Sequence, residues 1–267
     1  MKFKLTQEKL INLLEKLMLK DAFKKCTLTV RDGMLFSIEK EQHGRALRFL
    51  KINKSYFDEI DDSNETIALD LEKTLSVVKN ILPTTELTFE KVGEKISITG
   101  ENINAKISYE NPQGELLTGL PFEINDDGVP IIGEAKIPLD TYLRVDLQDF
   151  KDVANYGNSL GTEFYKFFIS GDKIATRIGD LHNFSDYVIF NPNGDIKSGK
   201  ELNVFFTYGI PQIAGSFSKE VNIKVKTNSP GWFYEKTDDY TLGVLIPPYV
   251  PKEDEWLGYW EQIFCFL

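Results

Sequence analysis

The chain has 267 residues, 42% hydrophobic and 27% charged, an ordinary globular composition with enough apolar material for two cores. Its net charge of -10 argues against a uniformly basic nucleic-acid binder, and its two cysteines, Cys26 and Cys265, are too few for a disulfide framework or a zinc pattern. Charges interrupt every apolar run, so the sequence reads as neither a signal peptide nor a membrane span, and a reducing compartment is the natural expectation.

Residues 1–25 hold seven lysines against Glu8, Glu15 and Asp21, a net +4 that leaves -14 for the remainder. One basic stretch on an acidic chain can present a local positive surface. Within it, Leu10, Leu13, Leu14, Leu17 and Met18 mark the apolar face of a first helix. The opposite face is expected to align Lys9, Asn12, Lys16 and Lys20, with no acid in that stripe.

A hairpin follows, TLTVRDGMLFSIE (27–39), with alternating strands about an Asp-Gly turn. A second helix carries Leu71, Leu75, Val78 and Leu82 at i, i+4, i+7 and i+11, and shows Lys73, Ser76, Lys79 and Asn80 on its polar face. The hairpin ELTFEKVGEKISITG (86–100) comes next. Residues 111–134 are rich in Pro, Gly and Asp and read as a linker. A third helix has Leu147, Phe150, Val153 and Ala154 inside and Gln148, Lys151, Asn155 and Ser159 outside, before the hairpin FYKFFISGDKIATRIG (164–179). A fourth has Phe206, Ile210, Ile213, Ala214 and Phe217 inside, Tyr208, Gln212, Ser216 and Lys219 outside, and Pro211 in its first turn. The hairpin VNIKVKTNSPGWFYEK (221–236) completes the series.

The four hairpins start 59, 78 and 57 residues apart, and each follows a strand and a helix. This is an internal repeat. Two βαβββ units make one domain, and the chain reads as an α+β protein: domain 1–110, linker 111–134, domain 135–250 and an apolar tail 251–267. The sheets are antiparallel and carry their helices on one face. The polar helix faces are donors suited to phosphate oxygens, without the Arg and aromatic density of a base reader. Any one of them could be a plain solvated face; four together point to loose, salt-dependent contact with duplex DNA.

In order, spacing and two-domain layout, residues 1–250 resemble the DNA sliding clamp family, which includes the proliferating-cell nuclear antigen of eukaryotes and archaea and its phage counterparts. MKFKLTQEKLINLLEKLMLKDAF resembles the family's opening strand and first pore helix, FSIEKEQHGRALRFL its pocket-lining stretch, and SPGWFYEKTDDYTLGVLIPP its closing hairpin, with Leu245, Ile246 and Pro247 where the family has Leu-Ala-Pro. The resemblance implies the DNA-clamp (processivity) fold: a head-to-tail homotrimeric ring, helices lining the pore and sheets outside. The pore residues are then Lys9, Asn12, Lys16, Lys20, Lys73, Lys79, Gln148, Lys151, Gln212 and Lys219. It implies subunit pairing between Asn104–Tyr109 (Asn104, Lys106, Ile107, Tyr109) and Ile174–Gly179 (Ile174, Thr176, Ile178). It also implies a partner-peptide pocket of Ile38, His43, Leu47, Leu120, Ile124, Pro230, Ile246 and Pro247, residues that could equally be core and linker anchors.

The implied partners are double-stranded DNA without sequence preference, a DNA polymerase, a clamp-loader ATPase and further copies of the chain. The implied location is the cytoplasm of a prokaryote or virus-infected cell, or a nucleus if the source is eukaryotic, and the low basic content suggests a phage or archaeal-like clamp. No enzyme signature, cofactor or metal site is expected: His43 and His182 lack ligand spacing, and Glu123–Glu134 imitates a calcium loop without flanking helices. Two other readings stay open, a monomeric or dimeric clamp-fold adaptor that binds a polymerase without encircling DNA, and a β-rich assembly protein. In the tail, Trp256, Leu257, Trp260, Phe264 and Leu267 recur at helical spacing. Such a stripe packs on its own domain or docks as a peptide.

Overall fold

A computed structural model describes residues 1–43, 45–109, 122–124, 130–132, 135–136, 141–179, 186–197, 201–227 and 230–249, with the backbone alone for 122–136 and Lys197. The expected tail 251–267 and Leu120 lie outside these residues. The chain divides into two compact units, residues 1–122 with 236–243, and residues 123–235 with 244–267.

The first unit runs β1 (Lys2–Thr6), α1 (Gln7–Met18), β2 (Lys25–Arg31), β3 (Met34–Lys40), β4 (Leu47–Ile52), a 3-10 turn at Lys54–Tyr56, β5 (Glu59–Ile60), β6 (Thr66–Asp70), α2 (Leu71–Val78), β7 (Glu86–Val92), β8 (Lys95–Gly100) and β9 (Ile103–Ser108). Three short strands follow, β10 (Phe122–Ile124), β11 (Pro130–Ile132) and β12 (Ala135–Lys136). The second unit contains β13 (Thr141–Asp146), α3 (Leu147–Leu160), β14 (Tyr165–Ser170), β15 (Lys173–Gly179), β16 (Tyr187–Phe190), β17 (Gly194–Lys197), β18 (Leu202–Phe206), α4 (Ile210–Ser216), β19 (Glu220–Val225) and β20 (Gly231–Lys236); β21 (Tyr240–Ile246) closes the series. The order β-α-β-β-β recurs four times, and all four expected hairpins form with antiparallel register.

Local chemistry sets the helix ends. Thr6 caps α1 by accepting from the Lys9 amide, and Glu8 stands in the first turn, where the dipole favours an acid. The helix stops where Leu19, Lys20 and Asp21 all take positive φ (45°, 51° and 67°). Asp70 caps α2 through the Lys73 amide at 2.9 Å. In the hairpin turn after β2, Asp32 and Gly33 both have positive φ, the geometry a two-residue turn requires.

In the first unit, one sheet has the order β5-β1-β7-β8-β9, and β4, β3, β2 and β6 are neighbours in another. The expected inner residues of α1 are all buried, and Phe3 stacks on Phe89 with ring centroids 4.5 Å apart. In the second unit, β17, β13, β19 and β20 are neighbours, and a separate sheet has the order β16-β15-β14-β18. Phe206 packs edge-on against Phe167 and Phe233, and Phe233 meets Phe150. Each such buried ring or aliphatic side chain contributes about 1.5–3 kcal/mol.

Three helix expectations change. Leu82 is not on α2, which ends at Val78; it is 72% exposed. The Asn80 side chain donates to the Ser76 carbonyl at 2.8 Å and Pro83 follows closely, so the helix cannot continue to Leu82. Phe206 ends β18 rather than opening α4. Tyr208, expected on a polar face, is 6% exposed.

Candidate functional site

The candidate site residues fall into three groups: helix faces, sheet edges and an apolar pocket. On α1 the buried arc is wider than a period-based reading gives, because Lys16 is inside it. Lys16 is 5% exposed, and its ammonium lies 4.4 Å from the centroid of the Tyr240 ring. Lys9 is held as well: it donates to the Tyr56 carbonyl at 2.9 Å and pairs with Asp58 at 3.6 Å. The exposed stripe is therefore Glu8, Asn12 and Glu15, which corrects the acid-free stripe expected from sequence. A long lysine stem buries readily when an aromatic ring can take its charge, and a simple helical wheel misses this.

Lys20 is exposed, carried by the left-handed turn after α1. Lys73 and Lys79 are exposed on and just beyond α2, and Lys79 pairs with Glu15 of α1 at 3.1 Å. The exposed helix faces of the first unit thus balance Lys20, Lys73 and Lys79 against Glu8, Glu15 and Glu72. In the second unit Gln148 is exposed and donates to Asp152 at 3.1 Å, Lys151 and Gln212 are half-buried, and Lys219 is exposed. These faces are polar and near neutral.

The sheet edges carry a second correction. β9 ends its sheet, with Asn104 and Lys106 exposed, Tyr109 half-buried just beyond and Ile107 at 2%. β15 is not an edge. It pairs with β14 on one side and β16 on the other, so Ile174, Thr176 and Ile178 are core residues at 6%, 0% and 0% exposure. The terminal strand beyond β15 is β16, Tyr187-Val188-Ile189-Phe190, and β18 ends the other side of the sheet. Tyr187 is 37% exposed and the other three are half-buried. Beside it, Tyr156 of α3 is 38% exposed and meets Phe190 at 5.7 Å. The run Tyr-Val-Ile-Phe between Asp186 and Asn191 was the available sequence signal for an exposed apolar strand. In the first unit Leu82, Ile81 and Ile103 line an open recess beside β9 whose other walls are mainly Thr, Asn and Glu.

The pocket residues are unequal. Ile38 on β3 and Leu47 on β4 are half-buried on adjacent strands, and His43 is exposed between them. Glu41 organises that loop: its carboxylate accepts from the amides of His43 and Arg45 at 2.9 and 3.2 Å and from the Arg45 guanidinium at 3.1 Å. Burial alone would raise the Glu41 carboxyl, but these hydrogen bonds hold it below the usual carboxylate range. In the second unit Pro230 is half-buried and Pro247 exposed, whereas Ile246 is 1% exposed and belongs to the core beneath Gly209, so it cannot line a pocket. The side chain of Ile124 and the calcium-like loop lie outside the described side chains. Among the described residues no cluster of three or more His, Cys, Asp or Glu side chains could hold a metal ion, and no helix is long and apolar enough to cross a membrane.

Sequence comparison is silent: no family model and no curated protein matches the chain. Structure comparison is not. Proliferating cellular nuclear antigen from Entamoeba histolytica matches with a TM-score of 0.76 and 14% identity, over 93% of this chain and 98% of that one. A structure of the C-terminal region of FEN-1 bound to A. fulgidus PCNA matches with a TM-score of 0.74 and 12% identity, over 94% and 99%. The likeness spans nearly the whole of each chain and shows that this chain has the sliding-clamp fold.

Proposed function

We propose that the chain is a non-enzymatic sliding clamp, a processivity factor whose copies close head to tail, as a homotrimer, around duplex DNA and tether a polymerase. The observation that carries this reading is that, among the described residues, β9 and β16 end their sheets on a clamp fold. On β16, Tyr187 is 37% exposed and Val188, Ile189 and Phe190 are half-buried, apolar surface that a partner strand would cover. Pairing β9 of one copy with β16 of the next satisfies both ladders and covers Tyr187, and closure removes an edge that otherwise invites aggregation. The near-neutral helix faces are consistent with a protein held on DNA by topology rather than affinity.

Partner peptides are expected at Ile38, His43 and Leu47 of the first unit, where two half-buried apolar side chains on adjacent strands stand beside the Glu41 hydrogen bonds. The A. fulgidus structure holds a FEN-1 segment on its PCNA, which makes replication proteins the natural class of partner, together with a clamp-loading ATPase. The same near-neutral helix faces favour one other reading, a monomeric or dimeric adaptor of clamp fold that binds a polymerase without encircling DNA.

Topological retention separates the two. The protein is threaded onto linear duplex, and the ends are then capped with a bulky protein. A ring stays bound in salt high enough to strip cationic contacts and leaves when one end is reopened. Loss from capped duplex in high salt contradicts the ring and favours the adaptor.

A further inference from the structure

The outer face of the sheet β16-β15-β14-β18, which carries two cations among apolar side chains, is buried where a solvated face is expected. On β14, Tyr165, Phe167 and Ile169 share one face, and α3 lies there, with Gly157 against the Tyr165 ring. Lys166 and Phe168 point the other way. The register sets Arg177 and Phe205 opposite Lys166, and Ala175 opposite Phe168. These five residues are 4–7% exposed, as deeply buried as an interior. A sheet cannot bury its own outer face; another layer has to lie on it.

The chemistry of the face specifies that layer. The Lys166 ammonium lies 4.2 and 4.5 Å from the centroids of Phe168 and Phe205, and Arg177 stands 4.5 Å from that of Tyr187. Burial first, and Arg177 second, pull the Lys166 amine down to about 7. Two cations side by side across a ladder repel each other, and a carboxylate beside them offsets that repulsion. A cover that is apolar and carries acids therefore complements this face.

The chain leads such a segment onto this face. The Tyr249 amide donates to the Phe205 carbonyl at 2.9 Å, and its ring meets Phe164 edge-on at 5.9 Å. Phe164 and Tyr249 both pack against Phe205. The residues that follow carry Trp256, Leu257, Trp260, Phe264 and Leu267 at helical spacing, and four acids (Glu253, Asp254, Glu255, Glu261) against Lys252 alone. We propose that residues 250–267 fold back over the outer face of β14, β15 and β18 in the same molecule, setting their apolar stripe on Phe168 and Phe205 and their acids beside Lys166 and Arg177.

Acetylation by an N-hydroxysuccinimide ester, read by mass spectrometry, tests this with the exposed Lys73 as internal reference. In the full chain Lys166 should react about tenfold or more slowly than Lys73. In a chain ending at Val250 it should react readily, Tm should fall, and the peptide 251–267 added in trans should restore protection. Should the shortened chain prove insoluble, full-length Trp260→Asp with Phe264→Asp provides the same readout. Equal reactivity of Lys166 with and without the tail overturns the proposal. Protection that disappears on dilution also overturns it, because the cover would then come from a second copy.

Discussion

Lys16 and Lys79 carry the same ammonium, yet the fold gives them opposite work. Lys16 is a packing residue over Tyr240, and Lys79 is a surface charge shared with Glu15. Lys16→Ala should cost about 1–2 kcal/mol of stability, read as a lowered Tm, and leave the salt dependence of DNA association unchanged. Lys79→Ala should leave stability within about 0.5 kcal/mol and weaken DNA association at low salt, since it also uncovers Glu15. The reverse pattern would return Lys16 to the DNA-facing set. Gly157 poses a different contest. Alanine there gains about 1 kcal/mol in helix propensity, but its Cβ would lie 2.7 and 2.9 Å from Cζ and Cε1 of the buried Tyr165. Overpacking of that kind costs about 1–3 kcal/mol. Gly157→Ala should therefore lower Tm, and a raised Tm would contradict this packing of α3 on β14.

The elements divide into those that local sequence specifies and those it does not. The hairpins were legible because alternation and turn chemistry agree within a dozen residues: Asp32-Gly33 both demands and supplies positive φ. The inner faces of α1 and α3 were legible from their period. The end of α2 was not, because Leu82 continues the i+4 series while Asn80 and Pro83 stop the helix. Nor was the place of β16 outside β15, since no local pattern encodes which strand pairs beyond a hairpin. This difference makes an assembly prediction. Ile189→Glu on β16 should shift the protein to monomer in sedimentation with little change in Tm. Leu82→Ser should leave Tm unchanged, because Leu82 is already in water, and should weaken association through the recess it shares with Ile103. If neither changes the assembly state, β9 and β16 are not the joining edges.

At the scale of the whole molecule, the fourfold repeat was visible in a chain with no match among family models or curated proteins, and only 12–14% identity to the structures it resembles. The reason is physical. A βαβββ unit needs apolar residues at periods of two and 3.6 and turn residues between them, and many sequences meet that need. Charge follows similar logic: near-neutral helix faces on an acidic chain are compatible with the proposed sliding on DNA rather than a tight grip. What the repeat cannot specify is how many copies close. The most direct measurement is sedimentation over a concentration series. The account predicts a species at three times the 30.5 kDa chain mass. A strict monomer at high micromolar concentration would contradict the self-closing ring and leave a clamp-fold adaptor, or one subunit of a mixed ring, in its place.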